Sequence, residues 1–538
     1  MVHMRSGRRR FLQNSALFTG GLLTTSLLDT RHSMARDEPI EAVVIGSGYG
    51  GSVAALRLAQ AGINTLVIER GRRWPITSAQ NTFTTFRNPD GRAAWLSPTT
   101  FDGVPVNIYT GVLESNNEDG ILVLRGAGVG GGSLVNNAGM VQPRNRGVFN
   151  QVFSGLLKYE DFTNIYYPRV RSIIQPSPIP NDILSTFYYD STRLFVQEAT
   201  RAGFSNYLLD LAVDWDIVRE EIAGRKTPST INGEIWYGCN SGAKRSLDHN
   251  YLSLAEKTGL VEILPLHVVT SINEVGGYGY RITCDQINEF GEVITTKYIT
   301  CRYLFLAAGS LGTSKLLVKA KTKGTLPRLN DYVGKFWGTN GDAIVSRSNL
   351  PVANGKGGFA GAILEDFNNP KGPNIIMNYP DWNGLPGTQE YLAIGLPKQY
   401  GSFRYDASLD DVRLHLPRNT PGDKALMSSI ESTLGVLDER NSTSTQIKSE
   451  VSYAGTAHPL GGCRLGKACD EYGRVLGYRG LYVVDGALLP GTAACANPAL
   501  TIAALAERCV EKIIAEDINF GQFHRRKGRY NNIPGRAR

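Results

Sequence analysis

Four short apolar runs punctuate the chain, at residues 42–45, 65–68, 303–306 and 481–484, each rich in β-branched or aromatic side chains and free of polar alternation. Runs of this kind predict strands buried on both faces, as in a parallel sheet covered by helices. Turn residues follow three of them: Gly46-Ser47-Gly48, Ala308-Gly309-Ser310 and Asp485-Gly486. Helical periodicity sets in at residues 52–61, with Val53, Leu56 and Leu58 apolar, and again at 501–513, behind Asn497-Pro498. Strand, turn and helix in that order predict an α/β fold. Residues 261–266 and 269–273 read as further strands.

Three regions depart from this pattern. Residues 72–120 are polar and irregular but carry Trp74, Phe83, Phe86, Trp95 and Phe101, which predicts a long excursion over a ligand rather than a regular element. Residues 146–238 have more aromatics and fewer glycines, with helical patterns such as 191–203. Residues 336–457 are strand-like and loop-rich. The last two read as parts of a second domain.

The first strand-turn-helix is the most specific. Gly46, Gly48 and Gly51 stand at GxGxxG spacing directly after the strand at 42–45, and Glu69 ends the next strand. The first glycine permits a tight turn, the second a close approach of backbone to a pyrophosphate, and the third close packing of helix on strand. Free amides at the helix start attract the phosphates, and a carboxylate about 20 residues on accepts from ribose hydroxyls. This combination predicts a dinucleotide site and leaves FAD and NAD open. A second glycine cluster, with Gly126, Gly128, Gly130, Gly131 and Gly132 inside LRGAGVGGGSLVNNAGMV, clears side chains so that a flat ligand can lie against the backbone. His267 reads as a structural histidine, and the segment 266–269 as a place where backbone meets an adenine.

Composition narrows the partners. Of the 538 residues 42% are hydrophobic and 20% charged, enough for two or more cores. The net charge of +8 belongs to the ends: residues 1–35 carry +4 and the tail from Phe523 carries +6, leaving −2 for the body. A near-neutral body argues against nucleic-acid binding. Residues 521–538 read as a solvated basic tail, with at most transient contact with an anionic membrane surface. The seven cysteines are scattered, with no CxxC pair and no Cys/His cluster for a metal, so they read as free thiols with one disulfide possible. Arg8-Arg9-Arg10-Phe11-Leu12, a moderately apolar stretch and Ser33-Met34-Ala35 make residues 1–35 a twin-arginine export leader, which places the protein in a periplasm or outside the cell.

IGSGYGGSVAALRLAQAG, GVGGGSLVN, NSGAKRSLD, CRYLFLAAGSLG, HPLGGC, YGRV, LYVVDGALLPG and NPALTIAALAER span nearly the whole chain after the leader. In their order and number they resemble the glucose–methanol–choline (GMC) oxidoreductases, and within them the non-covalent, FAD-dependent cholesterol oxidases. The resemblance implies a discontinuous Rossmann-like FAD-binding domain (residues 38–145, 239–335 and 458–520) and an inserted α+β substrate-binding domain with a β-sheet (146–238 and 336–457). It assigns FAD binding to Gly46, Gly48, Tyr49, Gly50, Gly51, Glu69, Gly132, Asn136, Val269, Asp485 and Gly486. It places His458 and Asn497 at the reactive end of the flavin. Those residue types suit the chemistry, because an imidazole titrates near neutral pH and can accept or orient a hydroxyl proton, while an amide positions groups without ionising.

The implied activity is oxidation of a 3β-hydroxysteroid or other bulky secondary alcohol, with hydride passing to the flavin and oxygen taking the electrons as hydrogen peroxide. A monomer is expected. Two alternatives stay open: a dehydrogenase that passes electrons to another acceptor, and an exported flavin- or lipid-binding protein without turnover. One departure matters. The glutamate that moves a proton during steroid isomerisation in such oxidases falls within residues 374–380, near Met377, and no carboxylate stands there. Glu365, Asp366 and Asp381 are nearby in sequence. Ala457 replaces the aromatic before the HPLGGC histidine, and residues 492–496 hold one extra residue. The expectation is oxidation with little or no isomerisation.

Overall fold

The computed structural model describes residues 39–519, apart from 277–278, 352–355, 380–383 and 454. The export leader, the basic tail and Asp381 lie outside the described residues. Strands Ile40–Ile45, Thr65–Ile68, Val261–Leu264, the second half of Val293–Leu306, and Leu481–Val483 form a five-stranded parallel array. All the apolar runs named above fall in it. Its central strands are wholly buried: Ala42, Val43, Val44, Leu304, Phe305 and Leu306 have no exposed surface. Helices Tyr49–Gln60 and Pro498–Ile513 pack against each other beside it, and Arg57 donates to both carboxylate oxygens of Glu507 across their contact.

The strand Val293–Leu306 is longer than the sequence pattern predicts. Its first half continues into an antiparallel meander with Gly279–Ile287 and His267–Val275. That half is largely exposed, and only the last residues are buried and carry the apolar run. A second difference lies at 113–126. Leu113–Glu118 and Ile121–Gly126 form a hairpin rather than an irregular excursion. Asp119 and Gly120 make its turn at φ 54° and 82°, the left-handed pair that two-residue hairpins require.

A six-stranded antiparallel sheet is built from Ser205–Leu208, Ala362–Asp366, Asn374–Tyr379, Gln389–Gly395, Asp342–Ser348 and Lys448–Ser452, in that spatial order. Its period-2 alternation divides the side chains. Ile376, Leu364 and Tyr391 face helices Asp190–Arg201 and Pro421–Asn441, while Ile375, Met377 and Ile363 join the main core. The 21-residue helix Pro421–Asn441 departs from the loop-rich expectation. Thr420 and Asp423 close a capping box at its start, and Leu426, Ile430, Leu434 and Leu437 make its buried stripe. Arg347 fastens the helices to the sheet: with no exposed surface, it bonds Glu198, Asp438 and the Tyr391 hydroxyl. All seven cysteines are free and buried. Among the described residues no helix is long and apolar enough to cross a membrane.

Candidate active site

His458 sits between two short strands that fix its backbone: Gly455–Thr456, paired to Ile121–Gly126, and Leu460–Gly462, paired to Lys335–Gly338. The Thr456 hydroxyl accepts the His458 N–H at 2.9 Å and donates to Asp342 Oδ2 at 2.8 Å. The other oxygen of Asp342 lies 2.8 Å from His458 Nδ1. Asp342 opens a strand of the six-stranded sheet, so the pair joins two sheets. A carboxylate there puts the ring proton on Nδ1 and leaves Nε2 as the acceptor. The His458 side chain keeps 14% of its surface exposed and Asp342 only 2%, so the imidazole is reachable while its partner is not.

Asn497 faces Nε2, with Nδ2 3.4 Å away. It occupies the N-cap of helix Pro498–Ile513 but makes no side-chain capping bond. An asparagine at this position ordinarily spends its oxygen on a helix N–H. Here Oδ1 is buried without a partner and stays available to another donor. The preceding strap holds it in place. Ala494 and Cys495 stand at φ 61° and 56°, a left-handed conformation that side chains other than glycine rarely adopt. Asn340 pins that turn, accepting from Ala493 N–H at 2.8 Å and donating to Ala496 O at 3.0 Å. Tyr379 lies beside Asn137, edge-on to Trp236 and near Asp342, and burial pushes its phenol well up.

The glycine-rich turns build a groove. Side chains at Gly50 and Gly51 would collide with Val484 O and Gly46 O, so the helix start lies directly on the strands. At Gly48 and Gly132, by contrast, a side chain would meet nothing within 4 Å. These two open positions are neighbours, because a Cβ on Gly131 would come within 2.7 Å of Gly48 Cα. Asn136 Nδ2 donates to the Tyr49 hydroxyl at 2.8 Å and ties the second glycine loop to the first helix. Glu69 accepts from Ser47 N–H, the Ser47 hydroxyl and Gly71 N–H. Those three bonds leave a carboxylate room for one further donor. His267 N–H donates to Glu69 O, which brings the start of the Val269 strand to the end of the Glu69 strand. Beside Gly50, Asp485 accepts from the Thr313 hydroxyl and Ala487 N–H, and burial pushes it up to about 6. Gly486 begins the turn that follows.

A flat dinucleotide with a long phosphate bridge fits this groove, through the cleared space over Gly48 and Gly132 and the free oxygen of Asn497. The family comparison decides what kind of protein carries it. A GMC oxidoreductase family model for the N-terminal part matches residues 16–323, and one for the C-terminal part matches 424–506. The chain belongs to the GMC oxidoreductase family. It is an FAD-dependent alcohol oxidoreductase. The cholesterol oxidase of Mycobacterium tuberculosis is 27% identical, with 87% of this chain and 90% of the relative aligned. The cholesterol oxidase of Acinetobacter baumannii is 26% identical, over 88% and 94%. A long-chain-alcohol oxidase of Arabidopsis thaliana is 25% identical, over 91% and 70%. The solved pyridoxine 4-oxidase from "Mesorbium loti" shares the fold at a TM-score of 0.63 and 13% identity, over 89% of this chain and 99% of that one.

Several residues of this GMC oxidoreductase's site escaped the sequence reading. Asp342 has no local signature, because only the closing of the sheets brings it to His458. Lys244 lies within NSGAKRSLD, but its role is purely three-dimensional. Its buried ammonium donates to Leu134 O, Asn136 O and Ile235 O at 2.7–3.2 Å beneath the second glycine loop. Burial pushes it down to about 8. His267 is a structural residue, bonded to Pro265 O and Lys297 Nζ.

The carboxylates near Met377 also have definite places. Asp366 turns toward helix Pro421–Asn441, where Thr433 and Asn369 donate to it. Glu365 lies on the same sheet face as Met377 but opposite Ile375, one pair removed. Its side chain is 10% exposed and stands 3.9 Å from the Arg144 guanidinium, and burial pushes its carboxyl up.

Proposed function

We propose that this enzyme oxidises a 3β-hydroxysteroid, or a secondary alcohol of similar bulk, to the ketone, with molecular oxygen as final acceptor and hydrogen peroxide as product. The observation that carries the reading is the His458–Asp342 pair, set beside an unpartnered Asn497 Oδ1. The alignment with two cholesterol oxidases over most of their length supports the choice of substrate. His458 Nε2 accepts the hydroxyl proton, and Asp342 stabilises the imidazolium through Nδ1–H. Asn497 keeps Nε2 oriented through Nδ2 and receives a donor from substrate or cofactor at Oδ1. FAD bound in the groove would supply the acceptor for the carbinol hydride. Gly48, Gly132, Glu69, Asp485, Tyr49, Asn136 and Val269 are the residues that would hold it.

Isomerisation of the steroid double bond is not part of the proposal, since Met377 and Tyr379 occupy the relevant stretch and Glu365 is paired with Arg144. Oxygen uptake with cholesterol, together with product analysis, tests both halves. Equimolar peroxide and cholest-5-en-3-one are expected, and rapid formation of the conjugated 4-en-3-one contradicts the second half. The long-chain-alcohol oxidase relative supports a second reading, a linear long-chain alcohol as substrate, which the same assay with a fatty alcohol separates. We also propose twin-arginine export. Replacing Arg9 and Arg10 by lysine should retain the protein in the cytoplasm, and unchanged fractionation contradicts it.

A further inference from the structure

A cavity of about 280 Å³ opens beside the strap that carries Asn497, with Pro490 and Thr492 in its lining. None of His458, Asn497 or Asp342 lines it. Its charged lining consists of Lys371, Lys398 and Arg464, and among the described residues no aspartate or glutamate lines it. About half of the arginines and lysines among the described residues are held by carboxylates, such as Arg219 by Asp182 and Lys321 by Asp331. The three cations of the cavity form no ion pair among the described residues. Arg464 is oriented instead by the face of Phe336, 5.2 Å from its guanidinium, and its charge draws on Tyr400, a phenol that burial pushes up. The two lysines come from separate loops, and Ser429 of helix Pro421–Asn441 forms part of the wall.

Three like charges around one concave space repel one another, and they have no counter-charge in its lining among the described residues. An oxyanion relieves this repulsion, and hydrogen bonds between charged groups are the stronger kind. We propose that this cavity is a binding site for a small polyanion carrying carboxylate or phosphate groups. A cavity of this size holds a molecule with two or three such groups rather than a single ion. The site communicates with the catalytic strap through Thr492, which lines the cavity and donates to Asn340 Oδ1, the residue that also bonds Ala493 and Ala496.

Calorimetric titration of the holoenzyme with citrate at low ionic strength tests the proposal, with inorganic phosphate as competitor and chloride of equal ionic strength as control. Saturable binding of one citrate is expected, weakened about tenfold or more in the Lys371→Gln/Lys398→Gln double variant and in Arg464→Gln. The lysines are exposed, so the double variant keeps the fold and stands if Arg464→Gln proves unstable. A second arm uses phosphatidylglycerol vesicles. Sedimentation of wild type but not of the double variant assigns the same site to a lipid headgroup. Absence of binding in both arms, or binding undiminished in the double variant, overturns the proposal.

Discussion

Asp342 Oδ1 stands 2.8 Å from His458 Nδ1 across 116 residues of sequence, and this contact sets the tautomer of the candidate base. Asp342→Asn preserves the shape but offers an amide that no longer demands a proton on Nδ1 and no longer stabilises the imidazolium. Turnover of the alcohol is expected to fall about 100-fold or more, with the visible spectrum of bound flavin unchanged. Rapid-mixing reduction of the flavin measures this, and an unaltered rate removes Asp342 from the mechanism.

Asn497 separates two roles that usually coincide at a helix start. Because its side chain makes no capping bond, Asn497→Ala should leave thermal stability nearly unchanged, where loss of a working cap costs about 1 kcal/mol. Catalytic efficiency should fall about tenfold or more. A melting curve alongside kcat/KM shows whether the two effects part as expected.

Lys244 predicts a pH dependence. Its folded pKa is lowered from 10.5 to about 8, so between those values the unfolded chain binds the extra proton and folding gains as pH rises. Below pH 8 both states carry the charge and the full burial penalty applies. The stability difference between wild type and Lys244→Met should therefore move in favour of wild type by up to about 3 kcal/mol from pH 8 to 10.5. Denaturant titrations at several pH values measure it, and a flat difference contradicts a buried, titrating lysine.

Arg347 holds helices Asp190–Arg201 and Pro421–Asn441 to the six-stranded sheet through Glu198 and Asp438. Arg347→Met leaves two carboxylates buried without their partner, so a loss of about 3–5 kcal/mol is expected. Urea unfolding checks the magnitude.

The buried parallel strands were legible because their apolar runs lack alternation, and the groove was legible because Gly46, Gly48 and Gly51 impose backbone requirements that few sequences meet by chance. His458 and Asn497 were legible only through the motifs that surround them. Asp342 and Lys244 were not, since a single Asp at a strand start or a Lys in a turn has no periodicity, and its meaning arises from long-range packing. Helix Pro421–Asn441 was missed although Thr420, Asp423 and the Leu426–Leu437 stripe announce it, because polar residues dominate its other faces. The hairpin at 113–126 was missed because its first strand, LESNNE, is polar and only the Asp119-Gly120 turn signals it.

The most direct test of the account is an anaerobic visible spectrum of the purified protein before and after cholesterol is added. Bleaching of an oxidised, protein-bound flavin on addition, with the colour restored by air, is the predicted result. A flavin that stays oxidised in excess cholesterol contradicts the proposed substrate and leaves the groove, the His458–Asp342 pair and the family as the parts that stand.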